Sequence, residues 1–323
     1  MRKLKSLQGL RALATVGIFL FHSGFLLQGT FPVTFFFMLS GFMMYYTKHE
    51  LNSFKDFASW NKIYVWKKIK QFYPLHFITF IMACFIGRVW LKPLKDTIIS
   101  GVLNLLLINA FVPEYALVLN GVSWYLGITI FLYVIAFFLL KKANRIKSAK
   151  QHIVITLVLI IGINLFNRFI HHLYLYTNPF YRILDFWLGI LTAKLYLESD
   201  YEIKNINSIE YGIIFVFVIQ YLIGLAVKPN PGYYSIIFTI AIFIFAIGKG
   251  KISKILSSKK LDRIAEYSIE FFMFHELALR IFRKVFANLA VPYPILLLAI
   301  SLPSLLLSVV FIVIYKDMKK ITC

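Results

Sequence analysis

Two polar residues near the start of the chain share one helical face. Arg11 and His22 lie eleven residues apart in an otherwise apolar stretch. An α-helix returns to within about 20° of the same direction over that spacing, about 16 Å further along its axis. A neutral imidazole can act as a general base, and a guanidinium binds anions. The pair is therefore a candidate for a functional site. The alternative is a snorkelling arginine and a structural, hydrogen-bonded histidine.

A second polar stretch, AEYSIEFFMFHELALR, places Ser268 and His275 seven residues apart and therefore on one helical face. Glu276 follows directly and is able to orient or charge a histidine. If this helix starts near Arg263 on the same side of the membrane as the first helix, His275 reaches about the depth of His22. Two histidines at matching depth are expected to border one cavity.

Asp185 follows Arg182 by three residues on another apolar segment. Charged side chains at membrane depth usually face a bundle interior or a wet cavity, so Asp185 is a candidate for the site. A structural ion pair with Arg182 on the helix surface is the favoured explanation of the spacing, and a role in the site is the alternative. The adjacent His171 and His172 cannot both face one metal from a regular helix, and we interpret them as solvated or interfacial.

Two further segments contain residues that permit close contact or bind anions. FFFMLSGFMMYY includes Ser40 and Gly41, small residues that allow a neighbouring helix or a ligand to approach. VWKKIKQFYPLH includes Lys67, Lys68 and Lys70. Such a polybasic stretch contacts lipid headgroups or, alternatively, holds the phosphates of a cytoplasmic ligand.

The composition places these residues in a membrane protein. Of 323 residues 60% are hydrophobic and only 15% are charged, whereas soluble domains are about half apolar and a quarter charged. The net charge of +21 fits basic loops beside anionic lipid, and no nucleic-acid partner is expected. Cys84 and Cys323 have no metal-ligand spacing, and no metal is expected.

Apolar runs of about 17 to 25 residues are long enough to span a bilayer. The predicted spans are 12–30, 31–47, 72–91, 123–140, 152–168, 180–197, 210–227, 233–248, 264–282 and 294–315.

Basic loops predict the orientation, because positive loops stay in the cytoplasm. The N terminus, the loops 48–70, 141–150 and 249–263, and the segment KDMKK near the C terminus are all basic. The number of crossings between two cytoplasmic loops must be even, so the short run 97–112 is predicted to be re-entrant or interfacial. We therefore predict an all-α, polytopic transmembrane bundle of about ten spans with both termini cytoplasmic. Residues 1–323 are expected to form a single membrane domain without an appended soluble domain.

Five segments of the chain carry a family resemblance. In order they are GLRALATVGIFLFHS, FFFMLSGF, SWYLGITIFLY, NPFYRILDFWLGILTAKL and YSIEFFMFH. Together they resemble the acyltransferase-3 family, multi-span membrane acyltransferases that O-acylate bacterial surface glycans and related molecules. The resemblance covers nearly the whole chain and includes the Arg11 and His22 spacing.

The chain departs from the family pattern at two places. Where many relatives have Arg-x-x-Arg, this chain has Lys68 and Gln71, and lysine acts as a point charge rather than as a bidentate fork. The Trp-x-Leu-x-x-Glu pattern that starts here at Trp124 ends in Thr129, so a carboxylate of the relatives is missing. Asp185 is a possible substitute for it.

The resemblance implies acetyl-coenzyme A as the donor, loaded from the cytoplasm, and a glycan hydroxyl as the acceptor, in the cytoplasmic membrane of a bacterium. His22 is then the general base or acyl carrier, with His275 as a second proton-transfer group. The donor is expected to contact Arg11, Ser40 and the lysines named above. The substrate-binding candidates are Trp124, Asp185 and Ser268.

Two other classes remain open at this point, a transporter and a structural or assembly subunit for which His22 and Arg11 would matter little. A transporter of glycans or lipid intermediates also needs inward-facing ionisable groups around a central cavity. Membrane lipid is an expected partner in each case. The sequence does not indicate the oligomeric state.

Overall fold

The computed structural model describes residues 3–88, 91, 93–170, 174–200, 202–227 and 230–322. Its secondary structure is helical, and none of these residues forms a β-strand. The predicted all-α class is confirmed. His171 and His172 lie outside the described residues, so their solvated or interfacial position stays a prediction.

The helices follow one another along the chain with short connections. They are α1 (Lys5–Ser23), α2 (Thr30–Lys48), α3 (Phe57–Trp60), α4 (Trp66–Gly87), α5 (Leu94–Leu105), α6 (Ser123–Arg145), α7 (Ala149–Ile170), α8 (Pro179–Leu197), α9 (Ile206–Val227), α10 (Ser235–Ile247), α11 (Lys251–Leu256), α12 (Lys259–Glu266), α13 (Ser268–Val285) and α14 (Tyr293–Thr322). A π-helical turn, Asn61–Val65, joins α3 to α4.

Five helical segments are long and apolar enough to cross a membrane: Phe57–Gly87, Ser123–Arg145, Ala149–Ile170, Ile206–Val227 and Tyr293–Met318. The chain is a multi-pass membrane protein. The other predicted crossings fall on α1, α2, α8 and α13, each of 18 or 19 residues, and on α10, which has 13 residues. These helices are more polar or shorter, and the total of ten crossings stays a prediction.

The long helices differ in what surrounds them. In α7 and α9 only 17% of the apolar window is buried, and side chains such as Phe169 and Phe215 are exposed. In contrast, α8 completely buries Arg182 and Asp185, and α13 completely buries His275. Ionisable groups are costly in hydrocarbon. Apolar helices such as α7 and α9 therefore lie on the outside of the bundle, and helices with ionisable groups such as α8 and α13 lie within it.

Contacts between distant segments define two ends of the bundle. At one end the Lys3 ammonium donates to Asp262 of α12 at 2.6 Å. This end also holds the lysine-rich α11 and α12, and we call it the basic end. At the opposite end the Thr34 hydroxyl donates to the carbonyl of Pro231 at 2.9 Å. α1 therefore runs away from the basic end, and α2 returns to it.

The first helix is shifted relative to its predicted span. It occupies Lys5–Ser23 rather than 12–30. Gly24 ends it with a φ of 95°, where its amide donates to Phe21 O at 3.0 Å. Such a left-handed C-cap favours glycine and stops the helix. His22 therefore lies in the last turn of α1, beside the opposite end of the bundle.

The short run 97–112 does not form a membrane-length helix. α5 has 12 residues, about 18 Å of helix, which is less than the hydrocarbon thickness. Buried polar groups hold the segment that follows: the side-chain amide of Asn104 donates to Val118 O at 2.8 Å, and the Ser123 hydroxyl donates to Asn104 Oδ1 at 2.7 Å. Its re-entrant or interfacial position stays a prediction.

Two glycines allow α2 and α8 to pack backbone against backbone. A Cβ on Gly41 would overlap the carbonyl of Phe186, and a Cβ on Gly189 would overlap that of Met38. Small residues at a helix interface permit this close approach. Gly41 therefore serves helix packing, one of the two interpretations of the FFFMLSGF segment.

Replacement of Gly189 by Ala is expected to lower the melting temperature of the detergent-purified protein, because the added methyl group must push α8 away from α2. Overpacking of this kind costs about 1–3 kcal/mol. Gly162→Ala on α7 is the matched control, since its Cβ would meet no atom within 4 Å. That variant is expected to be neutral or stabilised by about 0.5–1 kcal/mol. Equal melting temperatures for the two variants would contradict the close packing.

Candidate active site

Two histidines from opposite ends of the sequence meet inside the bundle. His22 Nδ1 lies 2.7 Å from His275 Nε2. The two rings lie edge to edge and nearly coplanar, with centroids 5.0 Å apart and planes 10° from parallel. The prediction that these residues lie at matching depth is confirmed. They form a hydrogen-bonded dyad between the end of α1 and the middle of α13.

The hydrogen bonds of the dyad indicate which of its ring nitrogens carry a proton. His275 Nδ1 lies 3.0 Å from Phe271 O, and a carbonyl oxygen only accepts, so this nitrogen is the donor. In a neutral His275 the Nε2 atom is then the acceptor. His22 Nδ1 must donate to it, which leaves a lone pair on His22 Nε2. His275 thus holds His22 in the tautomer that a general base requires.

One member of the dyad, His22, lines a cavity that we call the histidine cavity. His275 is completely buried and is not part of its lining, contrary to the prediction that both histidines border one cavity. The volume of this cavity is about 430 Å³, within the range of small-molecule sites. Aromatic and apolar side chains form most of the wall, and one acid and one base add charge. The lining residues are Ile18, Phe21, His22, Gly29, Thr30, Val33, Leu117, Gly121, Val122, Trp124, Tyr176, Phe272, Glu276 and Arg280. Trp124, a predicted substrate-binding residue, is among them.

The charged part of the histidine cavity is an ion pair on α13. Arg280 Nη2 lies 2.7 Å from Glu276 Oε1, and Arg280 also donates to the carbonyl of Leu119. Glu276 Oε2 is buried and has no hydrogen-bond partner among the described residues. Glu276 is thus paired with arginine rather than with a histidine. It presents a free acceptor, and Arg280 anchors the loop before α6.

A buried ion pair supports the aromatic wall of the histidine cavity. The guanidinium of Arg182 donates to the Tyr176 carbonyl through Nε at 3.0 Å and Nη2 at 2.8 Å, and to Asp185 at 2.6 Å. The rings of Tyr176 and Trp124 are 5.0 Å apart. Arg182 and Asp185 are completely buried, so this is not a pair on the helix surface. Asp185 does not line the histidine cavity, nor the second cavity described below.

A second cavity opens toward the basic end, and we call it the arginine cavity. Its volume is about 490 Å³, and Arg11 lines it. Arg11 Nε, Ser268 Oγ and Glu270 Oε2 are all buried without a hydrogen-bond partner among the described residues. Buried polar atoms are rarely left unpaired, and each such group calls for an explanation. All three residues line this one cavity, as expected for a site that binds a polar ligand.

The other predicted donor-binding residues differ in their position. Ser40 and Lys68 line the arginine cavity, as do Tyr125 and Tyr133. Lys67 and Lys70 are exposed at the surface and are not part of its lining.

Sequence reasoning missed several residues of the two cavities. Tyr176 and Tyr125 carried no polar signal that separated them from lipid-facing aromatics. Arg280 could have been predicted as an ion-pair partner, because it lies four positions after Glu276 on the same helix. Phe272 was also detectable, since it lies between Ser268 and His275 on one face of α13. Among the described residues no group of three His, Cys, Asp or Glu side chains is placed to hold a metal ion.

A family model described as an acyltransferase domain matches residues 4–313 of the chain. The search of curated proteins and the search of solved structures found no match. The matched range includes both helices of the dyad and every residue that lines the histidine cavity. This match over nearly the whole chain places the protein in the acyltransferase-3 family of membrane acyltransferases.

Proposed function

We propose that the protein transfers an acyl group, acetyl in the first instance, from cytoplasmic acyl-coenzyme A to a hydroxyl of a cell-surface polysaccharide or lipid-linked glycan. The observation that carries this proposal is the hydrogen-bonded dyad, which leaves His22 Nε2 free at the histidine cavity. A general base of this kind is what attack by a hydroxyl on a thioester requires.

The proposed orientation puts the basic end in the cytoplasm of a bacterial cell and the protein in its cytoplasmic membrane. The basic end holds the Lys3 region, α11 and α12, and cytoplasmic segments carry an excess of lysine and arginine. With ten crossings both termini are cytoplasmic. The arginine cavity then opens toward the cytoplasmic donor, and the histidine cavity toward the outer face.

The donor is proposed to enter the arginine cavity with its acyl end first. Its phosphates would remain near the surface, where Lys67, Lys68 and Lys70 supply positive charge. The pantetheine arm contains amide groups that both donate and accept hydrogen bonds. The unpartnered Arg11 Nε can donate to such a group and the unpartnered Glu270 Oε2 can accept from one.

The acceptor is proposed to bind in the histidine cavity as a sugar ring. Trp124 and Tyr176 offer aromatic faces, against which the apolar face of a sugar can pack. Glu276 Oε2 supplies a free acceptor for sugar hydroxyls. Recognition by a few polar groups in a mostly apolar cavity is typical of small-molecule sites.

In the proposed reaction His22 Nε2 accepts the proton of the acceptor hydroxyl. The hydroxyl oxygen attacks the thioester carbonyl, an ester C–O bond forms, and the C–S bond breaks. The proton on His22 then passes to the leaving thiolate, which gives free coenzyme A. His275 keeps His22 oriented and spreads the positive charge that develops on it. As an alternative, His22 Nε2 carries the acyl group transiently.

An assay with purified protein in liposomes distinguishes a glycan transporter from an acyltransferase. Consumption of acetyl-coenzyme A that depends on a glycan acceptor supports the enzyme, and flux of the glycan without loss of the thioester supports a transporter.

His22→Ala is expected to lower kcat for acyl transfer by about 10²- to 10⁴-fold, the usual contribution of a general base. His275→Phe keeps His22 but removes its acceptor, and we expect a smaller loss. His152→Ala on α7, away from both cavities, should leave transfer unchanged. Labelled acetyl-coenzyme A and purified protein measure the rates. Activity of His22→Ala close to wild type would refute the role of His22.

Arg11→Lys should raise KM for the acyl donor by about ten- to a hundredfold with a much smaller change in kcat, because a lysine lacks the Nε donor of arginine. Hydrogen bonds to charged groups contribute about 1.5–3 kcal/mol. Arg168→Lys on α7 is the control. A normal KM in Arg11→Lys, with the protein folded, would exclude a donor contact for Arg11.

Asp185→Asn tests whether Asp185 binds substrate directly or acts through Arg182. We propose the indirect role, because Asp185 is completely buried in its ion pair. Breaking a buried pair costs about 3–5 kcal/mol, so a lower melting temperature is expected, with acceptor KM unchanged in the remaining folded protein. A rise in acceptor KM without loss of stability would instead support direct binding.

A further inference from the structure

The two cavities meet at one side chain. Phe272 is the single residue of the described chain that lines both the histidine cavity and the arginine cavity. It belongs to a stripe on α13 with spacing of four residues, formed by Ser268, Phe272, Glu276 and Arg280. Ser268 lines the arginine cavity, and Glu276 and Arg280 line the histidine cavity. On this face of α13, Phe272 thus lies between the residue that lines the arginine cavity and the two residues that line the histidine cavity.

An aromatic layer completes this separation. The rings of Phe272 and Tyr125 lie edge to face, with centroids 5.0 Å apart. Tyr125 in turn packs at 4.7 Å against Phe37, which is completely buried. Trp124 lines the histidine cavity, while Tyr125, the next residue, lines the arginine cavity. The boundary therefore passes between consecutive residues of α6.

The layer lies directly beside the dyad. The centroid of the Phe272 ring is 5.9 Å from that of His275, and along α13 Phe272 precedes His275 by one turn, on the side of the basic end. An acyl group that enters the arginine cavity meets Phe272 before it reaches His22.

We propose that Phe272, packed on Tyr125, narrows the passage between the two cavities and limits the length of the acyl group that can be transferred. This inference rests on the proposed function. With a short acyl group the thioester carbonyl reaches the edge of the ring, within reach of a hydroxyl held beside His22. A longer chain collides with the ring and holds its carbonyl back in the arginine cavity. Phe272 is therefore a specificity-determining residue and not a catalytic one.

The same ring narrows the opening between the two cavities, so that only a hydroxyl held beside His22 reaches the thioester carbonyl. Without it, free water from the histidine cavity reaches the thioester carbonyl as well. Water then adds to the carbonyl carbon, the C–S bond breaks, and the products are a carboxylic acid and free coenzyme A. Loss of Phe272 is therefore expected to produce acyl-coenzyme A hydrolysis in the absence of acceptor.

Phe272→Ala is the test, with purified protein and acetyl-, butyryl- and hexanoyl-coenzyme A as donors. The butyryl-to-acetyl ratio of kcat/KM is expected to rise about tenfold or more, the range in which a hydrophobic pocket discriminates by chain length. Hydrolysis without acceptor should rise as well. If the alanine variant does not accumulate, Phe272→Leu takes its place, with a smaller change in the same direction.

Phe274→Ala is the matched control. Phe274 is a buried phenylalanine of the same helix, packs on Phe311 at 4.0 Å between centroids, and lines neither cavity. Its replacement also removes a buried ring but should leave the chain-length ratio as in wild type. An unchanged ratio in both Phe272 variants, with wild-type protein active on acetyl-coenzyme A, overturns the inference and leaves the proposed function intact.

A second measurement does not depend on catalysis. In protein with Cys84 and Cys323 replaced by serine, Ser268→Cys places a thiol in the arginine cavity, one turn from Phe272. A sulfonated methanethiosulfonate added to the outer side of sealed vesicles should label this thiol slowly with Phe272 present and at least about tenfold faster with Phe272→Ala. Equal labelling rates would contradict the partition, even if wild-type protein consumed no acyl-coenzyme A and the proposed function therefore failed.

Discussion

The hydrogen bond between His22 and His275 is the interaction on which the site depends, because it joins the last turn of α1 to the middle of α13. The Phe271 carbonyl keeps a proton on Nδ1 of His275. Nε2 of His275 then accepts a hydrogen bond, which keeps a proton on Nδ1 of His22. The donor bond from Arg283 to the carbonyl of His22 reinforces the same junction. Two helices that are distant in sequence thereby present one imidazole nitrogen to a cavity.

The surrounding architecture follows from the cost of polar groups in a bilayer. Helices that carry ionisable side chains must place them against protein or in a wet cavity. The bundle therefore puts α1, α2, α8 and α13 inside and apolar helices such as α7 and α9 outside. The glycines of α2 and α8 bring these two backbones together. Ser40, next to Gly41, remains free to line the arginine cavity.

Much of the fold could be predicted from the chain, because long apolar runs separated by basic loops leave few alternatives to a helical bundle. The matching depth of the two histidines followed from helix geometry. The start and end of α1 were predicted less well, since an apolar run does not show where Gly24 stops the helix. The role of Asp185 was also beyond prediction, because spacing along one helix does not tell whether a carboxylate faces a cavity or a buried arginine.

A further limit concerns Arg11 and His22 themselves. Their spacing correctly indicated one face of α1, yet that face borders two separate cavities rather than one. The division is made by residues of α6 and α13, which approach α1 only in the folded bundle. A periodic pattern along one helix shows a direction, but it does not show what fills the space in front of it. The two residues therefore mark two stages of the proposed reaction, donor binding and transfer.

The central claim is that His22 is protonated at Nδ1 and bears a free lone pair on Nε2. Nitrogen-15 NMR of protein with labelled histidines in lipid bilayers at neutral pH tests this directly, with His22→Gln used to assign the signals. The account predicts a protonated Nδ1 and an unprotonated Nε2 for His22, and loss of this preference in His275→Phe. A His22 protonated at Nε2, or a tautomer that does not respond to His275→Phe, would contradict it.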